Sequence, residues 1–251
     1  MFGENMKNLM IYIALLVQFL ALPGYASDYA REKKWADEVV PDLVVGDPVY
    51  LRQTNNHEFL TLYTPVKNAK SAVILVHGMG VHPDWGLIGV LRSSLADTGY
   101  TTLSVQMPVL KNDAKEEDYA PTLPEATERL KLAVDFLKAR GYDHIAIDSH
   151  SLGSWMTYAY LTGHPDRAVK VWVASGVAAN VDFGKLKLPV LDLYGENDSP
   201  QVLANVAARK KALAGKPGSR QQMMPGADHF YTGLDNELVR AVTDYLSAHL
   251  K

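Results

Sequence analysis

The sequence predicts an α/β fold in which helices cover both faces of a mostly parallel central sheet. Short runs that are mostly apolar, such as 72–76 and 169–175, recur along the chain, and segments with helical periodicity separate them. Strands that are apolar throughout are buried on both faces, and the intervening helices make the crossovers that parallel strands require. Of the 251 residues, 47% are hydrophobic and 21% are charged, which is the composition of a globular protein.

The elements that precede this alternation are of a different kind. A polar segment with helical spacing covers 29–40, and two β-rich runs within 48–65 lie on either side of the polar residues 53–56. The two runs predict a β-hairpin.

From residue 72 onward, strand and helix patterns alternate to the end of the chain. Thr122 and Glu125 have the spacing of a capping box, and Gly141 is typical of a helix end. Asp84 is expected to cap the helix after it, and the alternative is that His82, Asp84 and Trp85 line the mouth of a site. The predicted elements are, in order, a strand at 72–76, a helix at 87–95, a strand at 101–105, a helix at 122–141, a strand at 144–148, a helix at 151–162, strands at 169–175 and 189–194, a helix at 200–213, a weak strand at 221–224 and a helix at 234–246.

Charge and cysteine content exclude several kinds of function. The 25 Lys and Arg residues nearly balance the 28 Asp and Glu residues and form no basic block, so nucleic acid is not an expected partner. Without cysteine there is no thiol nucleophile, thiolate metal site or disulfide. No metal is expected, because the sequence has no cluster of ligands such as H-E-x-x-H. The glycines at 78–83 lack the third glycine of a dinucleotide loop, so no cofactor is expected either.

Residues 1–26 have the pattern of a secretory signal peptide. Lys7 precedes an apolar run at 9–22, and small residues occupy the last and third-last positions before a cleavage site after Ala26. The run is shorter than the ~20 residues that span a bilayer, so no stable membrane anchor is expected. The sequence thus predicts a periplasmic or secreted protein with one domain at 27–251. An uncleaved anchor is the alternative, because the positive charge ahead of the run is weak.

A candidate nucleophile follows the strand at 144–148. The sequence Ser149-His150-Ser151-Leu152-Gly153 leads from this strand directly into a helix, which is the context of a nucleophile elbow. Small residues two positions before and after the nucleophile allow strand and helix to approach closely, although Ser149 replaces the usual glycine. Ser151 is therefore the expected nucleophile. The alternative is that Ser151 is only the N-cap of the helix.

The strand at 72–76 ends in a glycine-rich turn, His77-Gly78-Met79-Gly80. Such a turn lets a backbone N–H point into the site. Paired with the N–H of Leu152, the Met79 N–H is expected to bind a developing oxyanion, and His77 is expected to support the turn by hydrogen bonding. A plain turn between strand and helix is the alternative.

An acid and a histidine follow two later strands. The strand at 189–194 is followed by Glu196 and Asp198, of which Asp198 is preferred and Glu196 is the alternative. His229 lies in a loop just before the terminal helix. Because parallel strands present their carboxyl ends at one sheet edge, we expect Ser151, Asp198 and His229 to meet there.

These residues carry a resemblance to a known superfamily. HGMG, SHSLG, GEND and GADHF, in this order, resemble the α/β-hydrolase superfamily over almost all of residues 45–250. HGMGVHPDW followed by LSVQMP is similar to an uncharacterised bacterial family of this superfamily. This similarity does not identify a substrate. The resemblance implies a serine hydrolase with a Ser-Asp-His triad and no cofactor. It also implies no separate cap domain, because the connection at 178–187, where caps are commonly inserted, is too short to form one.

The expected activity is hydrolysis of a carboxylic ester, in a small molecule or exposed on a larger one. The same triad serves amidases, thioesterases and acyltransferases, because fold and triad define the mechanism more closely than the substrate. A catalytically silent binding protein that keeps the fold is the alternative from a different class.

Overall fold

The computed structural model describes residues 27–163 and 165–250. Seven α-helices and eight strands lie in this part of the chain. The strands are β1 (Asp47–Arg52), β2 (Glu58–Thr64), β3 (Ala72–Val76), β4 (Thr101–Val105), β5 (Ile145–His150), β6 (Val169–Ser175), β7 (Val190–Gly195) and β8 (Arg220–Met224). The helices are α1 (Tyr29–Val39), α2 (Gly86–Asp97), α3 (Leu123–Lys138), α4 (Leu152–Gly163), α5 (Pro200–Ala204), α6 (Val206–Leu213) and α7 (Asp235–His249).

All eight strands form one sheet in the order β1-β2-β4-β3-β5-β6-β7-β8. The hairpin β1–β2 joins β4 in antiparallel pairing, and all pairs from β4 to β8 are parallel. The predicted α/β fold class is confirmed. Because the parallel strands run in the same direction, the loops at their carboxyl ends gather at one edge of the sheet, where the candidate residues lie.

Each face of the sheet has its own apolar layer. On one face, Ile74 and Ile147 pack in a cluster that includes the buried apolar residues of α3 and α4. On the other face, Val73 and Ala146 pack against α2 and α7. Neighbouring strand residues point to opposite faces, so a strand covered by helices on both sides buries all of its side chains. This burial explains why β3 and β4 have no exposed residue.

Three local predictions are wrong. Thr122 does not cap α3 with its side chain, because a 3₁₀ turn runs directly into the helix and the Thr122 hydroxyl donates to the Tyr119 carbonyl. Asp84 does not cap α2 but forms an ion pair with Arg92. The helix expected at 200–213 divides at Asn205 into α5 and α6.

The connections at the carboxyl edge are short. Between β6 and β7 the only regular element is a 3₁₀ turn at Phe183–Lys185, so the described residues contain no separate cap domain. The predicted signal peptide at 1–26 lies outside the described residues. Within the described ranges, no helix combines the length and the apolar character needed to cross a membrane.

Candidate active site

Ser151 lies at a sharp turn between β5 and α4. Its backbone φ is +55°, in the left-handed region that a residue other than glycine rarely adopts. A Cβ added to Gly153 would lie 2.7 Å from the Val76 carbonyl oxygen and still closer to that of His77, so only glycine fits there. Strand and helix therefore approach as closely as an elbow requires.

The unusual serine two positions before Ser151 is accommodated by hydrogen bonds. The Ser149 hydroxyl accepts from the Trp172 indole Nε1 at 2.8 Å and lies 3.0 Å from the Ser154 hydroxyl. All three side chains are buried. Replacement of the usual glycine by serine is thus compensated by polar partners on β6 and α4, because a buried hydroxyl needs such partners.

The structure brings Ser151, His229 and Asp198 together in a hydrogen-bonded chain. His229 Nε2 lies 3.0 Å from Ser151 Oγ, and His229 Nδ1 lies 2.6 Å from Asp198 Oδ1. An ionised carboxylate only accepts hydrogen bonds, so Nδ1 carries the proton and Nε2 is free to accept one from the serine. Close packing at Gly195 brings the two loops together, since a Cβ there would lie 2.8 Å from the Asp228 carbonyl oxygen.

The Asp198 carboxylate is fully buried and well supplied with donors. Besides His229, the backbone N–H groups of Gly195 and Ser199 donate to it at 3.1 and 2.7 Å. Burial raises the pKa of Asp198, but the hydrogen bond from His229 and those from the backbone outweigh it, so the net pKa is lowered. The alternative acid, Glu196, lies away from His229 and accepts from the Gly226 N–H at 2.8 Å.

The turn at 77–80 lies against the elbow. A Cβ added to Gly78 would lie 3.2 Å from Ser151 Cβ. The N–H of Met79 has no hydrogen-bond acceptor among the residues that the structure describes. Leu152 is the first residue of α4, where the N–H groups have no partner inside the helix. Two backbone donors are therefore available next to the Ser151 hydroxyl.

The His77 side chain holds the turn at 77–80 by hydrogen bonds. It is buried, and its Nδ1 donates to the Gly78 carbonyl at 2.8 Å while its Nε2 accepts from the Met107 N–H at 2.9 Å. Burial lowers the pKa of His77 to about 3, so the ring is neutral. A neutral ring is required because one nitrogen donates and the other accepts.

His150 has a structural role that its position in the motif did not indicate. Its Nε2 donates to the His229 carbonyl oxygen at 2.8 Å, and the two ring centroids are 4.7 Å apart. Burial lowers the pKa of His150 to about 4, which keeps the ring neutral. The side chain therefore ties the elbow to the loop that carries His229.

The mouth of the site is partly apolar and partly acidic. Met79 and Phe230 are 44% and 47% exposed, and Trp85 packs edge-on against Phe230. A cavity of about 340 Å³ is lined by Glu116, Glu117, Trp155, Ala179 and Asn180. In the described part of the chain, no group of three or more His, Cys, Asp or Glu side chains is arranged to hold a metal ion.

The charged loop at 111–119 contacts the core of the protein. Tyr119 is only 1% exposed, and its hydroxyl accepts from the Leu110 N–H at 3.0 Å. Burial raises the pKa of Glu116, which also lies on the 340 Å³ cavity. The loop is therefore anchored to the core by its tyrosine and forms part of the rim.

Asp148 lies in β5 three residues before the nucleophile and has no role in the hydrogen-bonded chain. The side chain is 1% exposed, and its Oδ2 has no hydrogen-bond partner among the described residues. Burial raises the pKa of Asp148 to about 8. The native state therefore keeps this proton at pH values where the unfolded chain, with a pKa near 3.9, has lost it.

This proton predicts a pH-dependent stability. Between about pH 4 and pH 8 the native state binds more protons than the unfolded state, so Asp148 makes the free energy of unfolding fall as pH rises. Asp148→Asn removes the titration. Relative to the variant, the wild type should lose about 3 kcal/mol between pH 5 and pH 8 in urea unfolding. Asp97→Asn, at an exposed position, is the control. Parallel pH curves for wild type and Asp148→Asn would contradict the prediction.

Comparison with protein families and curated proteins identifies no function. A family model described as "Protein of unknown function (DUF3530)" matches residues 47–127. That range contains the turn at 77–80 but none of Ser151, Asp198 and His229. No curated protein matches the chain.

Solved structures resemble this chain over most of its length. Dienelactone hydrolase from Anabaena variabilis is 18% identical, with 81% of this chain and 99% of that chain covered at a TM-score of 0.65. Esterase Pf2001 from Pyrococcus furiosus is 15% identical, with 85% and 96% covered at 0.68. An α/β serine hydrolase without lid from Xanthomonas campestris is 13% identical, with 82% and 95% covered at 0.59. At these identities the likeness shows a shared fold.

Proposed function

We propose that this chain, which has the α/β-hydrolase fold, is a serine hydrolase that cleaves carboxylic esters through an acyl-enzyme. One observation carries the proposal. The hydrogen bonds from Asp198 through His229 to Ser151 are continuous, and they end on a residue with strained backbone angles beside two unpaired N–H donors. A serine that only capped a helix would need neither the histidine nor the buried carboxylate.

In the first half of the reaction, Ser151 Oγ attacks the ester carbonyl carbon and its proton passes to His229 Nε2. Asp198 stabilises the imidazolium that forms. The negative charge on the carbonyl oxygen is bound by the N–H groups of Met79 and Leu152. When the tetrahedral intermediate collapses, the bond to the alcohol oxygen breaks, and His229 gives its proton to the leaving alcohol.

The second half repeats these steps with water. His229 Nε2 takes a proton from a water molecule, the resulting hydroxide attacks the acyl carbon, and the bond to Ser151 Oγ breaks as the proton returns to the serine. The products are the carboxylic acid and the alcohol, and no cofactor takes part. Amides, thioesters and acyl transfer to another alcohol remain open to the same triad.

The open rim favours short or medium acyl esters, or an exposed ester of a larger molecule. The described residues include no cap domain, and the charged side chains of Glu116 and Glu117 make the loop beside the site a poor cover for a long alkyl chain. Relatives in fold that are described as an esterase and a dienelactone hydrolase support ester cleavage over the other acyl transfers.

A panel of 4-nitrophenyl esters of graded acyl length tests the proposal, with the matched anilides and thioesters measured beside them. We expect kcat/KM to be highest for esters of short or medium acyl chains and to rise smoothly with substrate concentration through the solubility limit. A sharp rise on formation of a lipid interface, with preference for long chains, would contradict the open site. No turnover and no labelling by a fluorophosphonate would favour the silent binding protein.

We also propose that the protein is exported, on the pattern of residues 1–26 alone. Mass spectrometry of protein recovered from the envelope of the source cell should find Ser27 as the first residue. An intact amino terminus in the membrane fraction would favour the anchor instead.

A further inference from the structure

Helix α1 lies outside the alternating part of the chain and reaches the turn at 77–80 through Arg31. Two carboxylate oxygens of Glu32 accept from the buried Arg129 guanidinium on α3 at 3.0 and 3.1 Å. The Asp28 N–H donates to the Val109 carbonyl at 2.7 Å. Ala36 packs on β2 through Leu60 and Leu62. Buried pairing and apolar packing thus fix α1 to the body of the protein.

Arg31 extends from this helix to the turn beside Ser151. Its Nη2 donates to the Gly80 carbonyl at 3.3 Å, and its Nη1 donates to the Leu110 carbonyl at 2.7 Å. Its guanidinium also lies over the Trp35 ring, 4.5 Å from the centroid. One planar side chain therefore links α1, the turn after β3 and the loop after β4 with directed hydrogen bonds.

The Gly80 carbonyl is one of two acceptors that flank Met79. On the other side, the Gly78 carbonyl accepts from His77 Nδ1 at 2.8 Å. Gly80 itself has φ +71°, so the turn is not part of a regular helix or strand that would hold it. The described residues record no backbone hydrogen bond from the N–H of Met79 or Gly80. The side chains of His77 and Arg31 therefore hold the carbonyls on the two sides of Met79.

We propose that Arg31 is a positioning residue for the oxyanion turn, an inference that rests on the proposed function. Arg31 holds the Gly80 carbonyl from outside the sheet while His77 holds the Gly78 carbonyl from inside. With both carbonyls fixed, the peptide plane between Gly78 and Met79 presents its N–H to the oxygen that becomes negative in the transition state. Displacement of a donor by about 1 Å costs up to about 100-fold in rate.

Arg31→Met tests this role, because methionine keeps much of the apolar stem and donates no hydrogen bond. We expect kcat on a short-chain 4-nitrophenyl ester to fall by about 10- to 100-fold while KM changes by less than about threefold. The rate of Ser151 labelling by a fluorophosphonate should fall in parallel, since the phosphoryl oxygen uses the same donors. Lys34→Met on the same helix, where the side chain is 74% exposed, is the matched control and should leave both rates unchanged.

Two further measurements separate positioning from a general loss of structure. Arg31→Lys keeps the charge but cannot reach both carbonyls with a planar fork, so it should recover only part of the kcat. Added guanidinium should raise the kcat of Arg31→Ala and leave that of the wild type unchanged. If Arg31→Met does not fold, these two variants carry the test.

The possible failures can be told apart. If the wild type is labelled at Ser151 and hydrolyses esters while the Arg31 variants keep its kcat, the positioning role is wrong and the proposed function stands. A loss confined to KM, or one that follows the fraction of unfolded protein, also overturns the positioning role. If the wild type is neither labelled nor active, the proposed function fails, and the role of Arg31 fails with it.

Discussion

Ser151→Ala should abolish labelling by a fluorophosphonate and lower ester turnover by about four to six orders of magnitude. The hydroxyl that His229 Nε2 faces at 3.0 Å is the group that forms the acyl-enzyme in the proposed mechanism, and alanine removes it. Alanine fits the elbow without a new contact, so the loss should fall on kcat. Mass spectrometry of the adduct and kcat/KM on the preferred ester are the measurements.

Ser154→Ala is the matched control for this variant. Ser154 lies one turn further along α4, and its buried hydroxyl bonds to Ser149, not to His229. The Ser154→Ala variant should still be labelled by the fluorophosphonate and should keep most of the ester turnover. If Ser151→Ala is labelled as strongly as the wild type, another residue is the nucleophile and the proposed mechanism is wrong.

The sheet and its helices could be predicted from the sequence because burial on both faces leaves a direct pattern. β3 and β6, for example, have the bounds that their apolar runs predicted. The helices were predicted from the helical periodicity of the segments between the strands. Capping was less predictable. Whether Thr122 caps α3 depends on the backbone conformation of the residues that precede Thr122. Here these residues form a 3₁₀ turn, and the Thr122 hydroxyl donates to the Tyr119 carbonyl.

The candidate site could be predicted as a set of motifs but not as a set of contacts. Glu196 and Asp198 follow the same strand, so the sequence left both open. The structure separates them because the chain folds back after β7, which lets Asp198 accept from the Gly195 N–H and lie against His229, while Glu196 points to Gly226. The geometry of the four-residue turn at 195–198 determines where the two carboxylates lie, and hydrophobic periodicity does not predict turn geometry.

The place of α1 could not be predicted for a different reason. Its helical spacing gave the element, but its position depends on the pairing of Glu32 with Arg129, which lie 97 residues apart. The buried pair carries no local sequence signal. As a result, the contact of Arg31 with the turn at 77–80 emerged only from the structure, like the bond from His150 to the His229 carbonyl.

Asp198→Asn should lower kcat by about 10⁴-fold and leave the fold intact. Asparagine has the same shape, and its amide oxygen can still accept from the backbone. If its NH₂ group turns to His229, however, it donates to Nδ1 and moves the ring proton to Nε2, which then cannot accept from Ser151. A change of tautomer affects each proton transfer, so kcat should fall far more than KM rises, in steady-state kinetics on the preferred ester.

Glu196→Gln provides the comparison that identifies the acid. Glu196 follows the same strand and carries the same charge, but its carboxylate accepts from the exposed Gly226 N–H, a bond that the amide oxygen of glutamine can replace. We expect this variant to keep kcat within about threefold of the wild type. Because both substitutions remove one negative charge near the sheet edge, a general electrostatic effect would lower both rates alike. A larger loss in Glu196→Gln than in Asp198→Asn would show that Glu196 orients His229 in solution, and the assignment of Asp198 would be wrong.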